Sequence, residues 1–147
     1  MRCILQVVKH AKLSIDDKLY SSIGNGFLVL VGYHNDDSFE TIKKMMDKIL
    51  SLRLFKDENG KTNISLQDIK GEIMIVSQFT LYADVKKGRR PSFVDAAKGD
   101  ISKVLYDKTI EYVSSIMECK QGVFGADMQI ELVNDGPFTL SIDSKDL

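Results

Sequence analysis

The chain has 147 residues, of which 44% are hydrophobic and 28% charged. This balance is typical of one folded globular domain and excludes a disordered chain. The formal net charge of −1 excludes a protein that is basic over its whole surface, but it leaves room for a local basic patch. Two cysteines, Cys3 and Cys119, are too few for a disulfide framework and lack the spacing of metal ligands.

Membrane and secretory classes are also disfavoured. The longest apolar run, residues 27–31, is far shorter than the ~20 residues that a membrane-spanning helix needs. Gln6 and Lys9 interrupt the N-terminal apolar stretch, so it does not resemble a secretory signal. We therefore expect a cytoplasmic protein without membrane contact. Because His10 and His34 are the only histidines, we expect neither a metal site nor a Ser-His-Asp triad.

The first third of the chain predicts a β-meander. Residues 2–8 are apolar on both faces, as in a largely buried strand. Residues 12–15 alternate, Asp16-Asp17 is a turn signal, and residues 18–23 can return as the partner strand. Residues 27–31 then predict another buried strand.

The central part predicts a helix followed by a buried strand. Asp36-Asp37-Ser38 offers N-cap residues ahead of apolar positions with 3-4-3 spacing, which indicate an amphipathic helix. These positions are Ile42, Met45, Met46, Ile49 and Leu50. Residues 57–60 are expected to form a surface loop, and residues 73–76 a strand.

The last third predicts a second helix and the remaining strands. A helical stripe covers residues 101–118, and Gly122 and Gly125 are expected to bracket a short strand. Residues 128–133 and 138–142 alternate, with a turn at 134–137 between them. The order favours one α+β domain over residues 1–147, with two helices on one face of a sheet.

The first candidate site is Ser77-Gln78-Phe79-Thr80, at the end of an apolar strand. Backbone N–H groups that leave a strand ladder can bind an oxyanion, and Ser77 or Thr80 could act as a nucleophile. The structural alternative is that these hydroxyls satisfy backbone groups at a strand-to-loop junction.

The second candidate is the Asn134-Asp135-Gly136-Pro137 turn. A Gly-Pro bond has a cis form that costs only about 0.5–1 kcal/mol relative to trans, and glycine has no side chain to obstruct a ligand. The alternative is a plain hairpin turn. Even then, a proline at the head of a strand prefers an edge position.

The third candidate is a basic loop. Lys86, Lys87, Arg89 and Arg90 place four cations within five residues, a pattern suited to phosphate contacts. Phe93 could stack on a base. The alternative is a solvated surface loop.

Four segments in order resemble the signature motifs of the D-aminoacyl-tRNA deacylase family. They are residues 77–84, 87–93, 124–128 and 134–139, and the resemblance extends from residue 1 to about 143. It implies an α+β fold in which a mostly antiparallel sheet forms a partial barrel with two main helices. It also implies a homodimer with its active site at the subunit interface, and hydrolysis of the ester that joins a D-amino acid to tRNA.

The resemblance also implies roles for individual residues. Catalysis is assigned to Ser77, Gln78, Phe79 and Thr80, and tRNA binding to Lys86, Lys87, Arg89 and Arg90. The substrate-binding residues are Phe124, Gly125, Ala126, Met128, Asn134, Gly136, Pro137 and Thr139. The Gly136-Pro137 bond is implied to be cis and to enter the partner's pocket as a chirality filter. Such a filter excludes L-residues by steric clash and also admits glycine, including glycine mischarged on tRNA-Ala.

The chemistry implied needs no cofactor. Backbone N–H groups of Gln78 and Phe79 could stabilise the oxyanion while a ribose hydroxyl of the tRNA assists water. Thr80 is the alternative nucleophile, but its motif contains no base to activate it. Val7 departs from the family pattern, which often has an arginine after the glutamine of the first strand to hold the Gly-Pro turn.

Other functions remain open at this point. One alternative is a broader aminoacyl-tRNA editing hydrolase that removes glycine or small L-residues. The others are a non-catalytic tRNA-binding module that uses the basic loop alone, and a structural homodimer without a ligand.

Overall fold

The computed structural model describes residues 1–147. The helices are α1 (Phe39–Ser51) and α2 (Gly99–Ser114), and single 3-10 turns cover Phe79–Tyr82 and Ser144–Asp146. The strands are β1 (Arg2–Ile15), β2 (Lys18–Ile23), β3 (Gly26–Gly32), β4 (Arg53–Lys56), β5 (Thr62–Ser65), β6 (Glu72–Ser77), β7 (Cys119–Gln121) and β8 (Gln129–Asp143). No helix is both long and apolar enough to cross a membrane.

Six strands form one mixed sheet organised around β1. In the order β2-β1-β3-β6-β7 the neighbours are hydrogen-bonded, and β8 also pairs with β1. The pairings of β1 with β2, β3 and β8 are antiparallel, whereas β3–β6 and β6–β7 are parallel. The sheet is therefore mixed, with most of its pairings antiparallel as expected. The two parallel pairings were not predicted, and they follow from the helical crossovers before β6 and β7.

The sheet curls into a nearly closed barrel, as expected. One half of β1 pairs with β3, and the other half pairs with β2. The hydroxyl of Ser21 in β2 donates to the carbonyl of Gln121 in β7 at 3.0 Å, which links the two ends of the strand order. The β1–β2 connection is a two-residue turn in which Asp16 and Asp17 have φ values of 50° and 60°, as a type I′ hairpin requires.

Two apolar cores lie on opposite faces of the sheet. The larger core packs the sheet against α1 and α2 and includes Leu5 and Val7, whereas Val8 and Leu13 belong to the smaller core. Odd-numbered residues of β1 face the larger core up to Val7, whereas Ala11 and Leu13 face the smaller core, and the β1–β8 register shifts between Val8 and His10. The irregularity allows one long strand to serve both cores.

Both helices cover the larger core. Ser38 caps α1 through a capping box with Thr41, as the polar residues before the helix predict. The hydroxyl of Tyr33, the residue after β3, lies 2.7 Å from Thr109 Oγ1 in α2, and both residues are buried. This buried bond attaches α2 to the sheet within a largely apolar interface.

Three local predictions need correction. The second helix covers Gly99–Ser114 rather than 101–118, and the short strand expected between Gly122 and Gly125 lies earlier, at Cys119–Gln121. The β4–β5 hairpin was not predicted, because Leu52 and Leu54 continue the apolar spacing of α1. Periodicity alone did not show that the helix ends at Ser51.

The hairpin reading of residues 134–137 is wrong. Both halves of β8 pair with β1 in the same direction, and the register passes from Val8↔Asn134 to Gln6↔Thr139. One residue of β1 therefore faces four residues of β8, which bulge out of the ladder. We call residues 134–139 the β8 excursion. Its Gly136-Pro137 peptide bond is cis, the form that the resemblance implies.

We predict that Tyr106→Phe destabilises the protein. The buried hydroxyl of Tyr106 donates to the carbonyl of Ile75 at 2.9 Å and lies 3.4 Å from that of Gly122. Its removal should lower the free energy of unfolding by about 1–2 kcal/mol, measured by urea denaturation. Tyr112→Phe is the control, because the Tyr112 hydroxyl bonds to Asp47 at the surface. Equal losses for both variants would contradict the prediction.

Candidate functional site

A cavity of about 720 Å³ lies where β6 ends, beside the first turn of α2. This volume lies within the usual range for small-ligand sites, ~300–1,000 Å³. The cavity brings together two segments that are distant in sequence, Ser77–Phe79 and the 124–128 loop. The candidate residues that line it are Ser77, Gln78, Phe79, Phe124, Gly125, Ala126 and Met128.

The remaining candidates do not line this cavity. They are Thr80, the basic loop residues Lys86, Lys87, Arg89 and Arg90, and the β8 excursion residues Asn134, Gly136, Pro137 and Thr139. Within one chain, the end of β6 therefore lines the cavity, whereas the β8 excursion does not.

The strand end offers fewer free N–H groups than expected. The N–H of Gln78 donates to the carbonyl of Val31 at 2.7 Å, because it extends the β3–β6 ladder by one residue. It is therefore not free to stabilise an oxyanion, which corrects that expectation. Phe79 begins the 3-10 turn, where the first N–H groups have no partner within the turn. Phe79 is thus the better candidate donor.

The Thr80 hydroxyl is occupied by a neighbouring side chain. Gln78 Nε2 donates to Thr80 Oγ1, and Thr80 lies outside the cavity lining. The His34 ring packs 6.0 Å from the Tyr82 ring, and neither histidine lines the cavity. His34 Nδ1 accepts from the Asp36 N–H, and no histidine is hydrogen-bonded to Thr80 as a base, which disfavours Thr80 as a nucleophile.

Arg2 fixes the 3-10 turn that follows the strand end. Its guanidinium lies 4.5 Å from the centroid of the Tyr82 ring, and Nη1 donates to the carbonyl of Leu81 at 3.1 Å. Nε donates to Asp143 Oδ2 at 3.0 Å. Partial burial acts to raise the pKa of Asp143, but the Lys145 N–H and Arg2 outweigh it and lower that pKa. The turn is thereby attached to both β1 and β8.

The opposite wall of the cavity is the 124–128 loop. Gly125 has a φ of +78°, which favours glycine, and the N–H of Ala126 closes a turn onto the carbonyl of Val123 at 3.1 Å. The Phe124 ring lies 5.9 Å from the ring of buried Tyr106. The loop thus packs against α2, so its position depends on the larger core.

Several cavity residues were not predicted from the sequence. They are Val31, Gly32, Tyr33, Val76, Val94, Ala96, Ala97, Lys98, Gly99, Ser102, Asp127 and Ile130. Most are small or apolar and belong to no motif of their own. Phe93, which the sequence suggested only for base stacking, also lines the cavity. The 87–93 and 124–128 segments already included Phe93 and Asp127, but gave no sign that both face one cavity.

Two contacts brace the β8 excursion. Asn134 Nδ2 donates to Thr139 Oγ1 at 2.8 Å, and Lys9 Nζ lies 4.0 Å from Asp135 Oδ1. Val7, at the position of the expected arginine, is buried in the larger core and makes no such contact. The excursion is thus held by other residues, while Asn134 Oδ1 is buried without a partner.

The basic loop projects beside the mouth of the cavity. Asp84 and Ser92 pair through two backbone hydrogen bonds of 2.7 and 2.9 Å, which close the loop at its base. Its four cations are exposed and form no ion pair with the rest of the chain.

The groups that could hold a metal or act as a thiol nucleophile are sparse. No group of three or more His, Cys, Asp or Glu residues is arranged so that it could hold a metal ion. Burial raises the pKa of the Cys119 thiol to about 12, so it is protonated at neutral pH and a poor nucleophile.

Comparison with known proteins assigns the family. The family model described as D-Tyr-tRNA(Tyr) deacylase matches residues 4–143. The chain belongs to this family. D-aminoacyl-tRNA deacylases of Fusobacterium nucleatum and Thermosipho africanus are each 51% identical to it, over 99% of the chain and 97% and 98% of their own lengths. The protein is accordingly a hydrolase that acts on the ester bond of D-aminoacyl-tRNA.

Solved structures agree with the fold. One, named c-Myc DNA Unwinding Element Binding Protein, has a TM-score of 0.92 and 36% identity, and 97% of this chain and 98% of that chain are covered. Another, a probable eukaryotic D-amino acid tRNA deacylase, has a TM-score of 0.83 and 21% identity, covering 96% of this chain and 97% of its own. Because its sequence identity is only 21%, the second structure supports the fold alone.

We predict that Thr80→Val leaves most of the deacylase activity intact. The hydroxyl is engaged by Gln78 and lies outside the cavity, so its loss should lower kcat less than tenfold. Single-turnover hydrolysis of D-tyrosyl-tRNA provides the measurement. A loss of a thousandfold or more in a folded variant would instead favour Thr80 as the nucleophile.

Proposed function

We propose that the cavity binds the aminoacyl-adenosine end of D-aminoacyl-tRNA, with the ester carbonyl at the end of β6. The observation that carries this proposal is the meeting of Ser77–Phe79 and the 124–128 loop in one cavity. Both segments belong to the motifs that resemble the deacylase family, although 45 residues or more separate them in the chain. Their convergence on a concave, partly apolar surface is what a ligand site requires.

The chemistry is hydrolysis assisted mainly by the backbone. Water adds to the ester carbonyl carbon, and the negative charge on the carbonyl oxygen is stabilised by the Phe79 N–H. A donor of this kind contributes ~2.7–4 kcal/mol. The bond between that carbon and the ribose oxygen then breaks, and the ribose oxygen takes a proton. The adjacent ribose hydroxyl of the tRNA orients the attacking water, because no histidine lines the cavity to act as a general base.

A second copy of the chain completes the site in this proposal. The β8 excursion is exposed at Gly136 and Pro137, and it does not line the cavity of its own chain. Asn134 Oδ1 is buried without a partner at its base, which supports an additional partner there. In a homodimer, each excursion would enter the cavity of the partner subunit.

The inserted backbone acts as a chirality filter. The ammonium, ester carbon and side chain of an amino acid surround one carbon atom, so fixing the first two determines the direction of the third. Gly136 closes the L-direction to anything larger than hydrogen, whereas a D-side chain points away. Exclusion by clash discriminates more strongly than an apolar pocket, which yields ~1–3 kcal/mol per methylene. Glycine has no side chain and therefore passes, including glycine mischarged on tRNA-Ala.

The basic loop contacts the phosphates of the acceptor stem. Its cations are unpaired and project beside the cavity mouth, so they can neutralise phosphates without breaking existing ion pairs. Residues 1–147 act as one deacylase domain in this scheme. The protein works in the cytoplasm, where aminoacyl-tRNA is used.

A substrate panel tests the filter. We expect hydrolysis of D-tyrosyl-tRNA and glycyl-tRNA(Ala), but not of L-alanyl-tRNA, because only the last has a side chain in the closed direction. Release of tRNA-bound amino acid is followed for each substrate. Rapid loss of L-alanine would support the broader editing hydrolase, while tRNA binding without any turnover would support the binding module.

Mixing two inactive variants tests the contribution of the second copy. Ala126→Phe should block the cavity, and Gly136→Ala should obstruct the filter, since Gly136 has a φ of +118° and its Cβ would meet the Phe138 nitrogen at 3.1 Å. Mixed dimers retain one intact site, so co-refolding equal amounts should restore about a quarter of wild-type activity. Each variant refolded alone is the control. No restoration, or a strictly monomeric protein in sedimentation, would contradict the proposal.

A further inference from the structure

The side chains of Phe79 and Phe93 form an exposed aromatic pair at the mouth of the cavity. Their ring centroids lie 5.2 Å apart, with 67° between the ring planes. Both residues line the cavity, yet 56% of Phe79 and 37% of Phe93 remain exposed. Neighbouring Val94 is 85% exposed. A continuous apolar surface beside a ligand cavity indicates that a ligand covers it.

The aromatic pair lies between the cavity and the basic loop. Phe93 directly follows Ser92, which pairs with Asp84 to close the loop at its base. A single strand of RNA that leaves the cavity would therefore meet the aromatic rings first and the cations next. Aromatic side chains beside a cationic surface are the usual means by which proteins bind single-stranded RNA.

We propose that the Phe93 ring, supported edge-on by Phe79, stacks against the base of the nucleotide that precedes the terminal adenosine of tRNA. This inference rests on the proposed function, because it takes the cavity as the site of the aminoacyl-adenosine. The base is the second cytosine of the single-stranded CCA end. The contact is a stack against the face of the base, so it tolerates any base but requires that one is present.

The aromatic pair then serves to hold the tRNA end, not to catalyse hydrolysis. The Phe79 backbone belongs to the proposed ester site, so a substitution at Phe79 would confound two effects. Phe93 contributes only its side chain to the stack and is the residue to vary. Its loss should raise KM and leave kcat at saturating substrate nearly unchanged, because stacking is made equally in the ground and transition states.

A double-mutant cycle between protein and RNA tests the stack. The substrates are two D-tyrosyl minihelices, one with the ordinary CCA end and one with an abasic residue before the terminal adenosine. For the wild-type enzyme, the abasic substrate should raise KM by between about five- and a hundredfold. Phe93→Ala should raise KM for the ordinary substrate by a similar factor, with no further increase for the abasic substrate. Phe93→Tyr should restore wild-type behaviour.

Phe39→Ala is the matched control. Phe39 is also exposed, at 47%, and packs edge-on against Tyr112 with ring centroids 5.8 Å apart. It lines a separate groove on the helices and not the cavity. This variant should keep the wild-type KM and the full effect of the abasic substitution.

Two results would overturn the stacking proposal. One is an unchanged KM for Phe93→Ala with the ordinary substrate, and the other is an undiminished abasic effect in that variant. Phe93→Leu, checked by its circular dichroism spectrum, replaces Phe93→Ala if the latter fails to fold. Ala126→Phe distinguishes failure of the stacking proposal from failure of the proposed function. If that variant is fully active, the cavity is not the ester site; if it is inactive, the Phe93 result concerns the stack alone.

Discussion

The antiparallel pairing of β1 with β8, and its interruption near Val8, organises the rest of the structure. This pairing extends along nearly the whole of both strands, and at the interruption one residue of β1 faces four of β8. The shift between Gln6 and Val8 displaces Gly136 and Pro137 from the ladder. A second shift, between Val8 and His10, accompanies the change of the odd-numbered residues of β1 from the larger core to the smaller one. These two neighbouring irregularities allow the barrel to curl and produce an exposed segment that is available for recognition.

The cavity depends on this arrangement through the larger core. β6 lies parallel to β3, so its end emerges next to the first turn of α2. Two buried tyrosines, Tyr33 and Tyr106, bond α2 to the sheet and to the segment that follows β7. Arg2 holds the 3-10 turn against both long strands. The strand end is therefore supported on several sides, which preorganises a backbone donor better than a free loop does.

The absence of histidine and cysteine from the cavity lining is consistent with the chemistry proposed for it. An aminoacyl ester is already reactive, so hydrolysis needs a positioned donor, a positioned water and exclusion of the wrong substrates. The titratable side chains of the cavity lining are Tyr33, Lys98 and Asp127, and the proposed mechanism uses none of them. Specificity in such a site would come from shape. A main-chain filter excludes L-side chains by clash, and the aromatic surface stacks on a base without distinguishing which base it is.

Much of the fold follows from local patterns. Apolar periodicity located most strands, and Ser38 before an amphipathic stripe marked the start of α1, because caps and faces are local properties. The end of α1 and the β4–β5 hairpin were missed, since Leu52 and Leu54 fit the helical stripe although they belong to the next segment. Residues 134–137 were open to a hairpin reading because turn residues cannot tell whether the chain reverses or bulges.

The candidate residues were likewise recognisable as motifs in the sequence. Which of these motifs lie together in space was not predictable. The sequence by itself determined the family resemblance, the basic loop and the polar strand end, which are contiguous in the chain. Only the tertiary structure decided that Ser77–Phe79 and the 124–128 loop share a cavity, that the N–H of Gln78 is occupied by Val31, and that the excursion lies outside that cavity. These are relations between distant segments, and they arise from sheet register and core packing, which no local pattern encodes.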